Sequence, residues 1–168
     1  MTRKPVVAIL IVVALTIMVA IGAAITPSGK ASSGHASPYG LVGTWVQTVN
    51  LPAPLPPLRS IQAVNRGGTA VETSSEPPGT RSAMLSTWKH LGGRLYTATG
   101  SHFLFNPQTG EFQGTRKINR TIEVAADGQS YATVARVTTF DPLGNVVATF
   151  VARARAERMQ LEPIPDLP

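Results

Sequence analysis

The sequence contains no cysteine. A disulfide framework, a cysteine nucleophile and a lipid-anchored cysteine are therefore excluded, and any folded domain has to be stabilised by its own hydrophobic core. Histidines are also scarce, three in 168 residues, and they lack the close spacing to other ligating residues that a metal site requires. No nucleophile-elbow motif and no phosphate-binding glycine loop occurs either. The sequence therefore predicts no metal and no cofactor.

The chain also lacks any dense basic cluster. Its formal net charge is +6, but Arg3, Lys4 and Lys30 precede the foldable region, which leaves 12 basic and 9 acidic residues from Ala36 onward. No stretch combines four or more basic residues, and none interleaves basic residues with aromatic ones. Since nucleic-acid-binding domains usually show such an electrostatic footprint, the sequence predicts that nucleic acid is not a partner.

One long segment has no charge at all: residues 5–25 form a run of 21 uncharged, mostly apolar residues. At about 1.5 Å rise per residue, a helix of this length just crosses a hydrocarbon core of roughly 30 Å. Arg3 and Lys4 precede the run, which predicts a cytoplasmic N-terminus and an extracytoplasmic domain. Small residues near its end also fit a signal peptide. The domain is therefore expected to be tethered to the cell membrane, or secreted if the segment is cleaved.

After this run the composition favours a single β domain. Short segments rich in Val, Thr, Ile, Phe and Tyr alternate with turn residues, and no segment after residue 40 has the pattern of a helix. Ser, Gly and Pro before the domain are typical of a flexible linker, and the end of the chain is rich in proline. The predicted organisation is a membrane anchor or signal peptide at 1–25, a linker at 26–40, a β-barrel domain at 41–158 and a proline-rich tail at 159–168.

Two segments alternate clearly between apolar and polar residues, which predicts long strands with one face in a core and one in water. They are residues Phe112–Val124 and Val146–Arg158. The apolar faces are expected to include Phe112, Ile118, Ile122 and Val124 in the first, and Val146, Ala148 and Phe150 in the second. With eight or nine strands between residues 41 and 158, an open sheet would expose its edges. We therefore predict an all-β, antiparallel up-and-down meander that closes into a barrel.

The first and last predicted strands carry a recognisable pair of features. Gly43-Thr44-Trp45 stands on the first strand and Arg158 at the end of the last. In an antiparallel meander this pattern resembles the lipocalin-like, or calycin-type, barrel, and it is also similar to the barrel of allene oxide cyclases. The resemblance implies that Trp45 plugs the narrow end of the barrel and that Arg158 stacks on it, with Gly43 as the third closure residue. The alternative is that Trp45 is an ordinary core aromatic of a β-sandwich.

Two arginines share an apolar parity with Ile118. Arg116 and Arg120 should therefore point into the barrel, where a buried charge is costly unless it is paired. One interpretation is that their planar donors hold the polar head of a ligand. The other is that a bulge between Gly114 and Arg120 turns one of them outward, that both lie near a solvated rim, or that they pair with an acid such as Glu72.

The inward row of the last strand is mostly alanine, which leaves space for a ligand unless bulky residues such as Phe103, Phe105 and Phe112 fill it. The predicted ligand-binding residues are Trp88, Arg116, Arg120, Tyr131 and Phe150.

A catalytic alternative uses the same interior. His90 shares a parity with Trp88, so that His90 or Tyr131 could act as acid or base in a cofactor-free cyclase or isomerase. A histidine at a strand end is also commonly exposed. His102 lies on the opposite parity to Phe103 and is expected to be exposed.

The function predicted from the sequence is that of an exported, membrane-tethered, lipocalin-like domain that binds a small hydrophobic molecule with a polar or anionic head. We expect no enzymatic activity under this prediction. The rivals are the cyclase or isomerase and a ligand-free structural or protein-interaction barrel. A cavity of about 300 Å³ or more that reaches both arginines would favour ligand binding.

Overall fold

A computed structural model describes residues 40–164. They form eight strands and no helix. The strands are β1 (Gly43–Asn50), β2 (Leu58–Val64), β3 (Thr69–Ser74), β4 (Met84–Gly92), β5 (Leu95–Phe105), β6 (Phe112–Val124), β7 (Ser130–Phe140) and β8 (Val146–Arg158). The prediction of an all-β antiparallel meander is confirmed, with eight strands.

The sheet closes on itself, because β1 pairs with both β2 and β8. The pairing with β2 runs from Gly43 opposite Val64 to Val49 opposite Leu58. The pairing with β8 begins with Trp45 opposite Arg158. Closure leaves no unpaired strand edge among residues 40–164, and the prediction of a closed barrel is confirmed.

The predicted N-terminal hydrophobic helix at 5–25 lies outside the described residues. Within residues 40–164, nothing forms a helix of the length and apolarity needed to cross a membrane.

One end of the barrel is filled by an apolar cluster around Trp45, which has no exposed surface. The Trp45 indole Nε1 donates a hydrogen bond to the carbonyl oxygen of Leu41 at 2.8 Å, and the Tyr131 ring packs edge-on against the indole at 4.8 Å between centroids. We call this end the closed end. Its buried members are Leu41, Trp45, Val64, Ala70, Tyr96, Ala98, Ile122, Val124, Tyr131 and Ala156.

Arg158 lies over the outer face of this cluster. Its guanidinium carbon is 4.2 Å from the centroid of the Trp45 ring, and its nitrogens donate to the carbonyl oxygens of Gly40, Val42 and Gly128. Gly43 has a φ of 140°, and a Cβ atom there would clash with the Arg158 guanidinium. The glycine before the tryptophan is therefore needed both for its backbone conformation and for the space that Arg158 occupies.

At the opposite end, β5 to β8 are longer than β1 to β4, so that their hairpins extend past the rim of the barrel. The prediction that Phe112, Val146 and Ala148 face the core is wrong for this reason. Phe112 is 42% and Val146 60% exposed, and Ala148 is exposed as well. On β8 the inward row begins at Phe150 and continues through the alanines.

The predicted faces of β5 are also reversed. Tyr96 belongs to the closed-end cluster, and the alternation from it turns Gly100 and His102 inward and Phe103 outward. His102 is 3% exposed and Phe103 is 55% exposed, so the prediction of an exposed His102 is wrong. Phe103 packs instead on Phe105 and Phe112 at the outer rim, and these rings do not fill the space beside the alanines of β8.

Candidate functional site

A cavity lies in the barrel above the closed end. Its volume is about 70 Å³, which corresponds to room for about five water molecules. It is therefore well below the roughly 300 Å³ at which drug-sized ligand pockets begin. It reaches Arg116 and Arg120, as expected from their parity, but only a small molecule or one end of a larger molecule fits inside it.

The cavity has two chemically different walls. One wall is apolar and comes mainly from β6, β7 and β8, together with leucines beside the β1–β2 loop. Its members are Val49, Leu51, Leu58, Ile118, Ala135, Val137, Phe150, Ala152 and Ala154. The other wall is polar, and its members are Gln47, Ser60, Glu72, Ser74, Glu76, Arg81, His102, Arg116, Arg120 and Thr133. An interior of this kind suits a molecule with both a polar and an apolar part.

Strand alternation places the polar residues inside the barrel. Gln47 follows Trp45 by two residues on β1, so both side chains point inward. Ser60 on β2 is the register partner of Gln47, and Ser74 on β3 is the register partner of Ser60. The three inward residues therefore form a row of neighbours across the barrel wall.

The deepest charged pair crosses the interior between β3 and β6. Arg120 Nη1 donates to Glu72 Oε2 at 3.1 Å, and the two side chains are only 5% and 7% exposed. Gln62 Nε2 donates to the same carboxylate oxygen at 3.4 Å, and its Oε1 accepts a hydrogen bond from the Tyr131 hydroxyl at 3.0 Å. A continuous polar chain thus runs from the closed-end cluster to the cavity.

The Tyr131 hydroxyl remains protonated in this chain. Burial raises the pKa of Tyr131 above its ordinary value, although the charge of Arg120 opposes the shift. A phenol of this kind donates a hydrogen bond but is not a base near neutral pH.

A second charged group lies nearer the rim. Glu76 accepts from Arg81 at 3.0 Å and from Arg116 at 3.1 Å, and Arg116 Nε also donates to the Thr139 hydroxyl at 3.4 Å. Burial acts to raise the pKa of Glu76, but the Ser74 hydrogen bond and the two arginine charges outweigh it and hold the pKa below its ordinary value. Glu76 is therefore ionised at neutral pH.

Several buried polar atoms on the polar wall make no hydrogen bond within residues 40–164. They are Gln47 Nε2, Ser60 Oγ, Arg120 Nη2 and both ring nitrogens of His102. A buried polar group without a partner costs roughly 1–3 kcal/mol, so natural proteins contain few of them. These atoms are concentrated around one cavity, so that a molecule inside it could form hydrogen bonds with several of them.

His102 is electrically neutral in this setting. Burial, together with the positive charges of Arg81 and Arg116, lowers the pKa of His102 to about 4, although Glu76 acts in the opposite direction. At neutral pH the imidazole has one donor and one acceptor nitrogen, and neither is used within the described residues.

The residues predicted from the sequence are divided between the two ends. Arg116, Arg120 and Phe150 line the cavity. Tyr131 is in the closed-end cluster and touches the site only through Gln62. Trp88 packs against that cluster and donates through Nε1 to the Asn65 carbonyl oxygen at 3.0 Å.

His90 lies on the β4–β5 hairpin beside the closed end. Its Nε2 is 2.9 Å from the carbonyl oxygen of Gly93, and its ring is 4.8 Å from that of Tyr96. It does not line the cavity. Among residues 40–164, no three histidine or acidic side chains are grouped so that they could hold a metal ion.

Sequence reasoning missed most of the polar wall. Gln47 was accessible from the sequence, because it shares the parity of Trp45. The inward orientation of His102 could be predicted only by knowing which face of β5 points inward. Tyr96 sets that face, but the apolar run Phe103–Phe105 suggests the opposite one. Glu76 and Arg81 lie between β3 and β4, where no strand periodicity indicates a direction.

No protein-family model, curated protein or solved structure is significantly similar to this chain. Any functional conclusion therefore depends on the chemistry of the barrel interior.

Proposed function

We propose that this chain is an exported small-molecule-binding protein of lipocalin-like type, whose barrel takes a short amphiphilic ligand with a polar or anionic head. The observation that carries the proposal is the cavity with two walls, one apolar and one bearing buried donors that have no partner among the described residues. A ligand that satisfies the donors with its head and covers the apolar wall with its tail recovers free energy on both sides.

The volume of the cavity limits the ligand. About 70 Å³ accommodates a small head and the first few carbon atoms of a tail. A longer tail would extend past Leu51 and Leu58 toward the rim, where the β1–β2 loop exposes Leu55. We therefore propose a short-chain ligand rather than a membrane lipid held entirely inside the barrel.

The lipocalin-like assignment is supported by the closed end. Gly43, Trp45 and Arg158 form the arrangement that the sequence resemblance implies, with the guanidinium stacked on the indole. The export proposal is supported by the uncharged run at 5–25 and the basic residues before it. In this proposal the barrel is tethered to the outer face of the cytoplasmic membrane or released from it.

A substitution that fills the cavity tests this function. Ala154 lines the cavity and is 6% exposed, so Ala154→Leu places extra methyl groups in the ligand space. The matched control is Ala132→Leu, because Ala132 is exposed on the outer face of β7. Binding of short-chain amphiphiles with four to eight carbon atoms would be measured by titration calorimetry on the full chain.

We expect that Ala154→Leu raises the dissociation constant about tenfold or more. A tenfold change corresponds to about 1.4 kcal/mol of lost binding free energy. Ala132→Leu should bind like the unmodified chain. Equal binding by both variants would place the ligand outside the barrel, and no binding of any amphiphile by the unmodified chain would refute the function.

A further inference from the structure

We infer that the head of the ligand is a monoanionic oxyanion of the carboxylate class, which accepts hydrogen bonds from Arg120 Nη2, Gln47 Nε2 and Ser60 Oγ. This inference rests on the proposed function, since it names the chemistry of the ligand for the same cavity. The inference goes beyond the proposed function in two ways. It gives the head of the ligand a negative charge, and it adds Gln47 and Ser60 to Arg120 as donors to that head.

The first argument comes from donor chemistry. A guanidinium nitrogen and an amide nitrogen carry only donor hydrogens, so Arg120 Nη2 and Gln47 Nε2 are satisfied only by an acceptor. Both residues are more than nine-tenths buried, with whole-residue exposures of 7% and 1%, and both line the cavity. Ser60 is 3% exposed and its hydroxyl can donate as well. An ammonium head would add donors where acceptors are lacking.

The second argument comes from position. Gln47 and Ser60 are register partners on β1 and β2, and both line the cavity with Arg120. Arg120 reaches across from β6 to bind Glu72 on β3 through Nη1. This bond fixes the guanidinium and leaves Nη2 without a partner in the part of the chain that the structure describes. A carboxylate has two oxygens, each able to accept more than one hydrogen bond, and so it matches donors that arrive from several strands.

The third argument is the charge of the lining. Four arginines and two glutamates line the cavity, and His102 is neutral at neutral pH. Glu72 binds Arg120, while Glu76 binds both Arg81 and Arg116. One positive charge therefore remains uncompensated, at the part-buried Arg81 and Arg116 that share Glu76, in addition to the exposed Arg153. A single negative charge on a ligand in this cavity balances that excess.

A set of four-carbon ligands separates this inference from the proposed function. Butyrate, butyramide, n-butanol and n-butylammonium have similar tails and differ in the head. Titration calorimetry with the full chain at pH 7 should give a dissociation constant for butyrate at least tenfold lower than for butyramide or butanol, with the weakest binding for butylammonium. If the neutral heads bind as tightly as butyrate, the anion inference is overturned while the binding function stands. If none of the four binds, the anion inference is also overturned, and the function fails only if the longer amphiphiles, up to eight carbon atoms, do not bind either.

The roles of Gln47 and Ser60 as donors to the ligand are tested by substitutions that remove each donor and leave no other polar group without its partner. The variants are Gln47→Leu and Ser60→Ala, because neither side chain makes a hydrogen bond to a described residue. The controls are Gln113→Leu and Ser101→Ala at exposed outer positions of β6 and β5. Each interior variant should raise the dissociation constant of butyrate about fivefold to tenfold, and the controls should leave it unchanged.

A second measurement shows that the loss is not caused by unfolding. Removal of an unsatisfied buried polar group stabilises a fold, so both interior variants should melt several degrees higher in the absence of ligand. Weaker binding with a raised melting temperature supports the inference. An unchanged dissociation constant for butyrate in both variants overturns it.

Discussion

The two halves of this barrel follow the same strand alternation but differ in their inward residues. At the closed end, Trp45, Tyr131 and their neighbours pack against each other, and Arg158 covers them with hydrogen bonds to backbone carbonyls. Around the cavity, the inward positions combine an apolar wall with charged and polar groups, several of which have no hydrogen-bond partner within residues 40–164. Because close apolar packing stabilises a fold and unpaired buried polar groups destabilise it, we expect the closed end to contribute most of the stability.

The largest effect should come from the closed end. Trp45→Ala removes a fully buried indole and leaves a cavity, which should lower the free energy of unfolding by about 4–5 kcal/mol. Phe150→Ala at the cavity wall should cost much less, because Phe150 is only partly buried. Urea denaturation of both variants measures the difference. Equal losses would contradict the assignment of stability to the closed end.

A smaller effect is expected in the pH dependence of the free energy of unfolding, and it comes from His102 beside the cavity. The pKa of His102 is about 4 in the folded protein against an ordinary value of 6.5. Between these values the unfolded chain binds a proton that the folded protein does not, so stability is highest above pH 6.5 and falls as the pH decreases toward 4. The total loss of stability from this group is on the order of 3 kcal/mol.

The control for this pH dependence is His102→Gln, which cannot be protonated. The free energy of unfolding of the variant should change less between pH 6.5 and 5 than that of the unmodified chain. This window lies above the ordinary pKa of the carboxyl groups, so Glu76 contributes little to it. Parallel pH profiles for the two proteins would show that His102 is not held neutral by its surroundings.

The smallest effect should be a gain. Ser86 is buried on β4 and its hydroxyl makes no hydrogen bond within the described residues. Ser86→Ala should therefore raise the free energy of unfolding by up to about 1 kcal/mol. The matched Thr87→Val, on the outer face of the same strand, should change it little. A loss of stability in Ser86→Ala would show that this hydroxyl has a partner.

The sequence was sufficient for the architecture because alternation reports directly on a two-faced strand. The bounds Phe112–Val124 and Val146–Arg158 agree with β6 and β8, and Gly43, Trp45 and Arg158 marked the strands that meet at the closed end. The sequence was insufficient to predict burial where strands extend past the rim of the barrel. Apolar and polar residues still alternate there, but the strands no longer enclose an interior. This explains the misplacement of Phe112 and Val146.

The candidate site was predicted only in part, for a related reason. Parity identified Arg116, Arg120 and Phe150, and it even suggested Glu72 as a partner of these arginines, which holds for Arg120. Parity gives a direction but not a height in the barrel, so Trp88 and Tyr131 were grouped with residues that lie above them. His102 was missed because an aromatic run is a stronger hydrophobic signal than a single histidine, although here the aromatics face outward.

The hydrogen-bonded chain from Tyr131 through Gln62 and Glu72 to Arg120 has an optical consequence. Tyr131 touches the Trp45 indole at one end of this chain, and the guanidinium at the other end borders the cavity. A molecule that binds the guanidinium changes the charge at one end of this chain of hydrogen bonds. We therefore expect the fluorescence of Trp45 to change when the cavity is filled, although Trp45 does not line the cavity.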